Sequence, residues 1–130
     1  MQIFGVDHIA IDTRNIEESI HFYSNVMGFP LMRRVPNGDT ELVYMQVDSH
    51  CCIELFDHFA NLPLEEKIDG ASAGVKHLAF AVDGIDEWNR RLIDAGVEFT
   101  LPLCNLEHLG TRALLFKDPN GVIIELTQNL

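Results

Sequence analysis

Apolar and polar positions along the chain switch between two periods in a regular order. The first stretch, Ile3 to Asp12, reads as a strand with His8, Ala10 and Asp12 on one face and Ile9 and Ile11 on the other. Asp12-Thr13-Arg14-Asn15 is a polar break that supplies N-cap residues. The spacing then turns helical: Ile16, Ile20, Tyr23 and Met27 follow i, i+4, i+7, i+11, and Gly28 marks a stop, so a helix is predicted over 16–27. Three strands should follow: Phe29 to Val35, Glu41 to Val47 and His50 to Phe56. They are parted by the turn Pro36-Asn37-Gly38-Asp39 and by Asp48-Ser49. The order is β-α-β-β-β. A polar connection, 57–74, carries Pro63, Gly70 and Gly74, with one short helical turn expected near Leu64 to Ile68.

The same order then recurs. Lys76 to Val82 reads as a strand with His77, Ala79 and Ala81 on one face. Gly84 to Ala95 reads as a helix with Ile85, Trp88, Leu92 and Ala95 at core spacing, stopped by Gly96. Val97 to Leu101 is a predicted strand ended by Pro102, and Leu106 to Gly110 a predicted loop. Thr111 to Phe116 and Val122 to Thr127 form a hairpin around Asp118-Pro119-Asn120-Gly121, where Pro fixes φ and Asn and Gly accept positive φ.

Chemistry repeats along with pattern. Val6-Asp7-His8-Ile9-Ala10 is echoed by Val75-Lys76-His77-Leu78-Ala79, and Cys52-Ile53-Glu54-Leu55-Phe56 by Ile123-Ile124-Glu125-Leu126-Thr127. The chain thus holds an internal repeat of about 70 residues, with a His near the start of each half and a Glu near its end. A carboxylate inside so apolar a strand as Val122 to Thr127 is costly unless its charge is compensated, and a metal ion compensates it. His8, Glu54, His77 and Glu125 offer two imidazoles and two carboxylates, a set suited to Zn²⁺, Ni²⁺, Co²⁺, Fe²⁺ or Mn²⁺. Taken singly, a strand His is commonly a hydrogen-bonded structural residue and a strand Glu commonly faces water. What favours the metal reading is that both halves place the same residue types at the same phase.

Length and charge narrow the class. With 130 residues the chain is expected to be one domain of two half-modules, about 1–56 and 75–130, joined by linker 57–74. A net charge of −11 argues against nucleic acid and anionic membranes as partners. Cys51, Cys52 and Cys104 are odd in number and lack C-x-x-C spacing, so neither a disulfide framework nor a zinc finger is expected. No basic start followed by an apolar run opens the chain, and no apolar stretch approaches roughly 18 residues; a cytoplasmic location is the expectation. The long linker suits exchange of modules between two chains, hence a homodimer.

On these residues the chain resembles the vicinal oxygen chelate superfamily, which includes glyoxalase I, methylmalonyl-CoA epimerase, extradiol dioxygenases and fosfomycin or bleomycin resistance proteins. The resemblance spans nearly the whole chain. It rests on Val6-Asp7-His8-Ile9-Ala10-Ile11, His21-Phe22-Tyr23-Ser24-Asn25-Val26-Met27-Gly28-Phe29, His77-Leu78-Ala79-Phe80 and Phe116-Lys117-Asp118-Pro119-Asn120-Gly121 through Glu125-Leu126. It implies an α+β fold of paired βαβββ modules, commonly dimeric, curled around a cleft with one divalent metal ion. The order His, Glu, His, Glu is similar to bacterial glyoxalase I. The epimerases usually have Gln at the second position, and the dioxygenases and fosfomycin enzymes use two His and one Glu.

The resemblance therefore implies a glyoxalase-like lyase or isomerase, moving a proton through a metal-bound enediolate on a small oxygenated carbonyl compound. Glu125 would be the base and Glu54 its counterpart. The alternatives are an extradiol-type dioxygenase using Fe²⁺ and a metal-free drug-binding resistance protein. In glyoxalase I an Arg four residues after the first ligand and an Asn four residues after the second help hold glutathione. Asp12 and His58 stand there in this chain, so a substrate other than the glutathione adduct is expected. Arg33, Arg34 and Arg112 are candidate grips for a carboxylate or phosphate, and the sequence does not choose among them. His21 and His108 read as surface residues, and Trp88 as packing.

Overall fold

Each half of the chain folds one four-stranded sheet with a helix packed on one face. The computed structural model describes residues 1–57 and 73–130. Two compact units result, Met1–Leu64 and Glu65–Leu130. The helical turn expected at 64–68, most of linker 57–74, and His58 lie outside the described residues.

The first unit contains β1 (His8–Asp12), α1 (Ile16–His21), β2 (Leu31–Asn37), β3 (Thr40–Gln46) and β4 (Cys52–Phe56), in sheet order β1-β4-β3-β2. β1 runs parallel to β4 and the other pairs are antiparallel. Alternation puts Ile11, Val43, Met45, Ile53 and Leu55 in the core with Ile16, Phe22, Tyr23 and Met27. Asn15 caps α1, its side chain accepting from the Glu18 amide at 3.1 Å. The predicted helix over 16–27 does run to Val26, but its second part, Phe22–Val26, is a π-helix. The extra residue in that turn lets Phe22 and Tyr23 both face inward, with their rings edge-on at 5.0 Å.

The second unit repeats this with β5 (Leu78–Ala81), α2 (Ile85–Asp94), β6 (Phe99–Leu106), β7 (Thr111–Lys117) and β8 (Ile123–Asn129), in order β5-β8-β7-β6. Ile85 and Leu92 pack on Leu114, Phe116, Ile124 and Leu126 in its core. Paired βαβββ modules of an α+β fold are thus what the chain forms. The turn joining β7 to β8 is held by Asp118, which is buried. Its carboxylate accepts from the Asn120 and Val122 amides, each at 2.8 Å, and Gly121 takes a φ of 82°.

Three expectations are corrected. The first strand begins at His8, not Ile3, because β4 begins at Cys52, the partner of His8; upstream there is nothing in β4 to pair with, and residues 1–7 are exposed. Pro102 does not end its strand: β6 passes through it. β6 is an edge strand with a register shift between Leu101 and Cys104, so the missing amide breaks no ladder bond. Trp88 is half-buried under the Arg91 guanidinium, 5.4 Å from the ring centre, and Ala95 is exposed, so Ile85 and Leu92 alone carry the buried stripe of α2.

Candidate metal centre

In both units the Glu sits in a strand flanked on one side by a parallel strand and on the other by an antiparallel one. Glu54 on β4 lies opposite Ala10 on β1, and His8 is two residues before Ala10. Glu125 on β8 lies opposite Ala79 on β5, and His77 is two residues before Ala79. Residues two apart on a strand share a face, so each His reaches diagonally toward its Glu on the sheet face away from the helix. His8 Nε2 stands 3.2 Å from Glu54 Oε2, and His77 Nε2 stands 2.8 Å from Glu125 Oε2.

Each unit therefore brings together one His and one Glu. Within neither unit do three or more His, Cys, Asp or Glu side chains converge as metal donors, among the described residues. The donor pairs themselves suit a divalent ion. Two donors each about 2.1 Å from one ion stand roughly 3.0 Å apart at a right angle and roughly 3.4 Å apart at the tetrahedral angle; the 3.2 Å of the first pair falls in that range and the 2.8 Å of the second is shorter. The same distances also suit a plain His–Glu hydrogen bond.

The surroundings of the two pairs differ. His8 Nδ1 donates to Asp7 Oδ2 at 2.8 Å, which leaves Nε2 to face Glu54. That hydrogen bond, joined by the nearby Glu54 charge, outweighs partial desolvation and raises the His8 pKa above its ordinary value. Any cation held there competes with that proton. Tyr44, directly opposite Glu54 on β3, donates its hydroxyl to Glu54 Oε1 at 2.5 Å. The Glu54 carboxylate, its burial and its charge push the Tyr44 hydroxyl pKa up. In the second unit Leu115 occupies the place of Tyr44, and His77 Nδ1 is buried with no hydrogen-bond partner among the described residues.

Asp7 and Tyr44 were missed by motif reading. Asp7 could have been flagged by adjacency to His8. Tyr44 could have been found by counting across the β3–β4 hairpin, where Gln46 pairs with Cys52 and Tyr44 with Glu54. Asp12 is exposed, four residues beyond His8 on the same strand face. His21 and His108 are exposed, the former 3.0 Å from the Asn25 amide. Cys51, Cys52 and Cys104 are free thiols, and burial pushes the first two up in pKa, which suits inert packing. Among the described residues no helix is long and apolar enough to cross a membrane.

Comparison with known proteins agrees with this architecture. The profile of the Glyoxalase/Bleomycin resistance protein/Dioxygenase superfamily matches residues 5–126. YwkD, an uncharacterized protein of Bacillus subtilis (strain 168), is 32% identical over 129 residues, covering 97% of this chain and 98% of its own. The mitochondrial methylmalonyl-CoA epimerase of Dictyostelium discoideum is 28% identical over 95% of this chain and 77% of its own. The crystal structure of a glyoxalase family protein from Enterococcus faecalis superposes with a TM-score of 0.81 at 26% identity, covering 98% of this chain and 99% of that one. With matched motifs, matched module architecture and a profile spanning nearly the whole chain, the protein belongs to the glyoxalase/bleomycin resistance protein/dioxygenase superfamily.

Proposed function

We propose that the protein is a divalent-metal-dependent lyase or isomerase that moves a proton next to the carbonyl of a small oxygenated compound, with His8, Glu54, His77 and Glu125 as the metal ligands. The observation that carries this reading is the duplicated His–Glu diagonal, set by the same strand register in both units. Bound to these donors, a divalent ion supplies Lewis-acid polarisation of a substrate carbonyl. The chain's own residues do the rest. Asp7 orients the His8 ring, and Tyr44 holds one oxygen of Glu54, so the first pair is a fixed support. Glu125 has an apolar residue opposite it where Glu54 has a phenol, and is the carboxylate left to take a proton from one carbon and return it to the next. The length of linker 57–74 also favours a homodimer as the working form; a monomer mass in solution at micromolar concentration would count against it.

The test is proton exchange followed by ¹H NMR in D₂O, with Zn²⁺-, Ni²⁺-, Co²⁺- and Mn²⁺-loaded protein on small α-hydroxy and α-keto carbonyl compounds. Metal-dependent loss of the α-proton signal is expected. Tight metal binding without exchange, or oxygen uptake with catechols by the Fe²⁺ form, would overturn the reading in favour of other chemistry. Failure to retain any metal would leave a binding protein. With methylglyoxal and glutathione, kcat/KM should stay below roughly 10⁴ M⁻¹s⁻¹, because Asp12 stands where an anionic thiol adduct needs a cation.

A further inference from the structure

Three arginines were open as grips for an anionic ligand, and the structure separates them. Arg34 lies across from Val43, on the helix side of the first sheet, and is tied to two carboxylates. Its Nε donates to Glu41 at 3.0 Å and its Nη2 to Glu17 at 2.5 Å, with a second contact to Glu41. Arg112 is clamped by Asp86 through two parallel hydrogen bonds of 2.7 and 2.8 Å. Arg33 is different. It pairs with Tyr44 across β2 and β3, and its guanidinium lies 4.4 Å over the Tyr44 ring. Among the described residues it has no carboxylate partner within ion-pair distance.

Register turns this into a position. Ala10, Glu54, Tyr44 and Arg33 form one row across the four strands of the first sheet, on the face that carries His8. Glu54, the carboxylate of that row, is already engaged by Tyr44 through one oxygen and faces His8 through the other. The guanidinium lies over the Tyr44 ring, and among the described residues no carboxylate takes up its planar fork of donors. A net charge of −11 opposes approach of an anion anywhere on this chain, so an anionic ligand needs a local cation at its site.

We infer that Arg33 is the specificity-determining residue of the first half-site and receives a carboxylate or phosphate group of the substrate. The inference rests on the metal-centre reading above and narrows its substrate class to anionic carbonyl compounds. Tyr44 links the two functions: its ring carries the cation that grips the ligand, and its hydroxyl holds the Glu that binds the metal.

The test uses full-length Co²⁺-loaded protein and three hydroxamates that share one chelating group: neutral acetohydroxamate, carboxylate-bearing succinohydroxamate and phosphonate-bearing phosphonoacetohydroxamate. Affinities are read from the visible cobalt absorption and by calorimetry. The wild type should bind at least one anionic probe about tenfold or more tightly than acetohydroxamate, and the better of the two tells carboxylate from phosphate. Arg33→Gln should lose that preference, with its loss confined to the anionic probes. Arg33→Lys should keep part of it, since it retains charge without the fork. Arg34→Gln removes the same charge one residue away and should keep the preference whole. No preference in the wild type, or equal losses in Arg33→Gln and Arg34→Gln, overturns the assignment while a cobalt response to acetohydroxamate keeps the metal centre. No cobalt response to any probe overturns both.

Discussion

The two His–Glu pairs stand on the same strand register with different surroundings. In the first, the row through the Glu reads Ala10, Glu54, Tyr44, Arg33; in the second it reads Ala79, Glu125, Leu115, Leu101. A phenol and a cation in one sheet are two leucines in the other. Upstream, His8 follows an aspartate that binds its ring, whereas His77 follows Lys76 and leaves its second nitrogen buried and unpaired among the described residues. The same register places a His and a Glu together in each unit, and the neighbours of the two pairs differ. Glu54 is engaged at both oxygens, by Tyr44 and by His8, whereas Glu125 meets His77 through one oxygen and has leucine opposite.

The comparison breaks first on stoichiometry. If the two pairs complete one site, purified protein should hold one divalent ion per chain by plasma mass spectrometry, and His8→Ala and His77→Ala should each lower metal affinity by roughly a hundredfold or more. Two ions per chain, or a large loss from only one of the substitutions, would show that the halves bind independently.

Next in size is the contrast between carboxylates. Glu125→Gln should slow proton exchange by roughly 10²- to 10⁴-fold while the ion is retained. Glu54→Gln should act chiefly on metal retention, measured by competition with a chelator. Reversal of these two phenotypes would exchange the assigned roles.

A smaller effect sharpens the same point. Tyr44→Phe removes only the donor to Glu54 Oε1 and should weaken metal affinity by about tenfold. An unchanged affinity would show that the phenol is not part of the support.

The smallest effect lies at the surface, where both modules carry an arginine-bound carboxylate. Hydrogen bonds from Arg34 to Glu41 and from Arg112 to Asp86 lower the pKa of each acid. A lowered folded-state pKa gives stability that is present above the unfolded value and lost as pH falls through the folded one. Asp86 is exposed and Glu41 half-buried, so solvent screens both pairs and the loss should be shallow. Carboxyl NMR titration should place both transitions below the ordinary range, and Arg34→Gln should return Glu41 to it without moving Asp86.

Strand and helix order were legible because period two and period 3.6 alternate cleanly, and the repeat doubled every signal. His8 and His77 could be paired with Glu54 and Glu125 because each pair lies at the two ends of one module. What escaped was set by partners remote in sequence. The start of β1 depends on where β4 begins, the tolerance of Pro102 depends on β6 being an edge, and the π-turn at Phe22 answers the packing of Tyr23 against Phe29, whose rings stack 6.3 Å apart. Arg33 could not be told from Arg34 by composition, since adjacent strand residues differ only in the face they take, and the register shift between Leu31 and Arg33 helps decide that face.

The prolines in the outer strands have a consequence for behaviour at high concentration. Pro36 lies in β2 and Pro102 in β6, the outermost strand on the same side of each sheet. Neither can offer an amide to a stray strand from another molecule, and Pro102 sits where the ladder is already irregular. Sheets of this kind would otherwise be templates for runaway cross-chain stacking. At β2 and β6 the prolines make each outer rim a poorer template for a further strand.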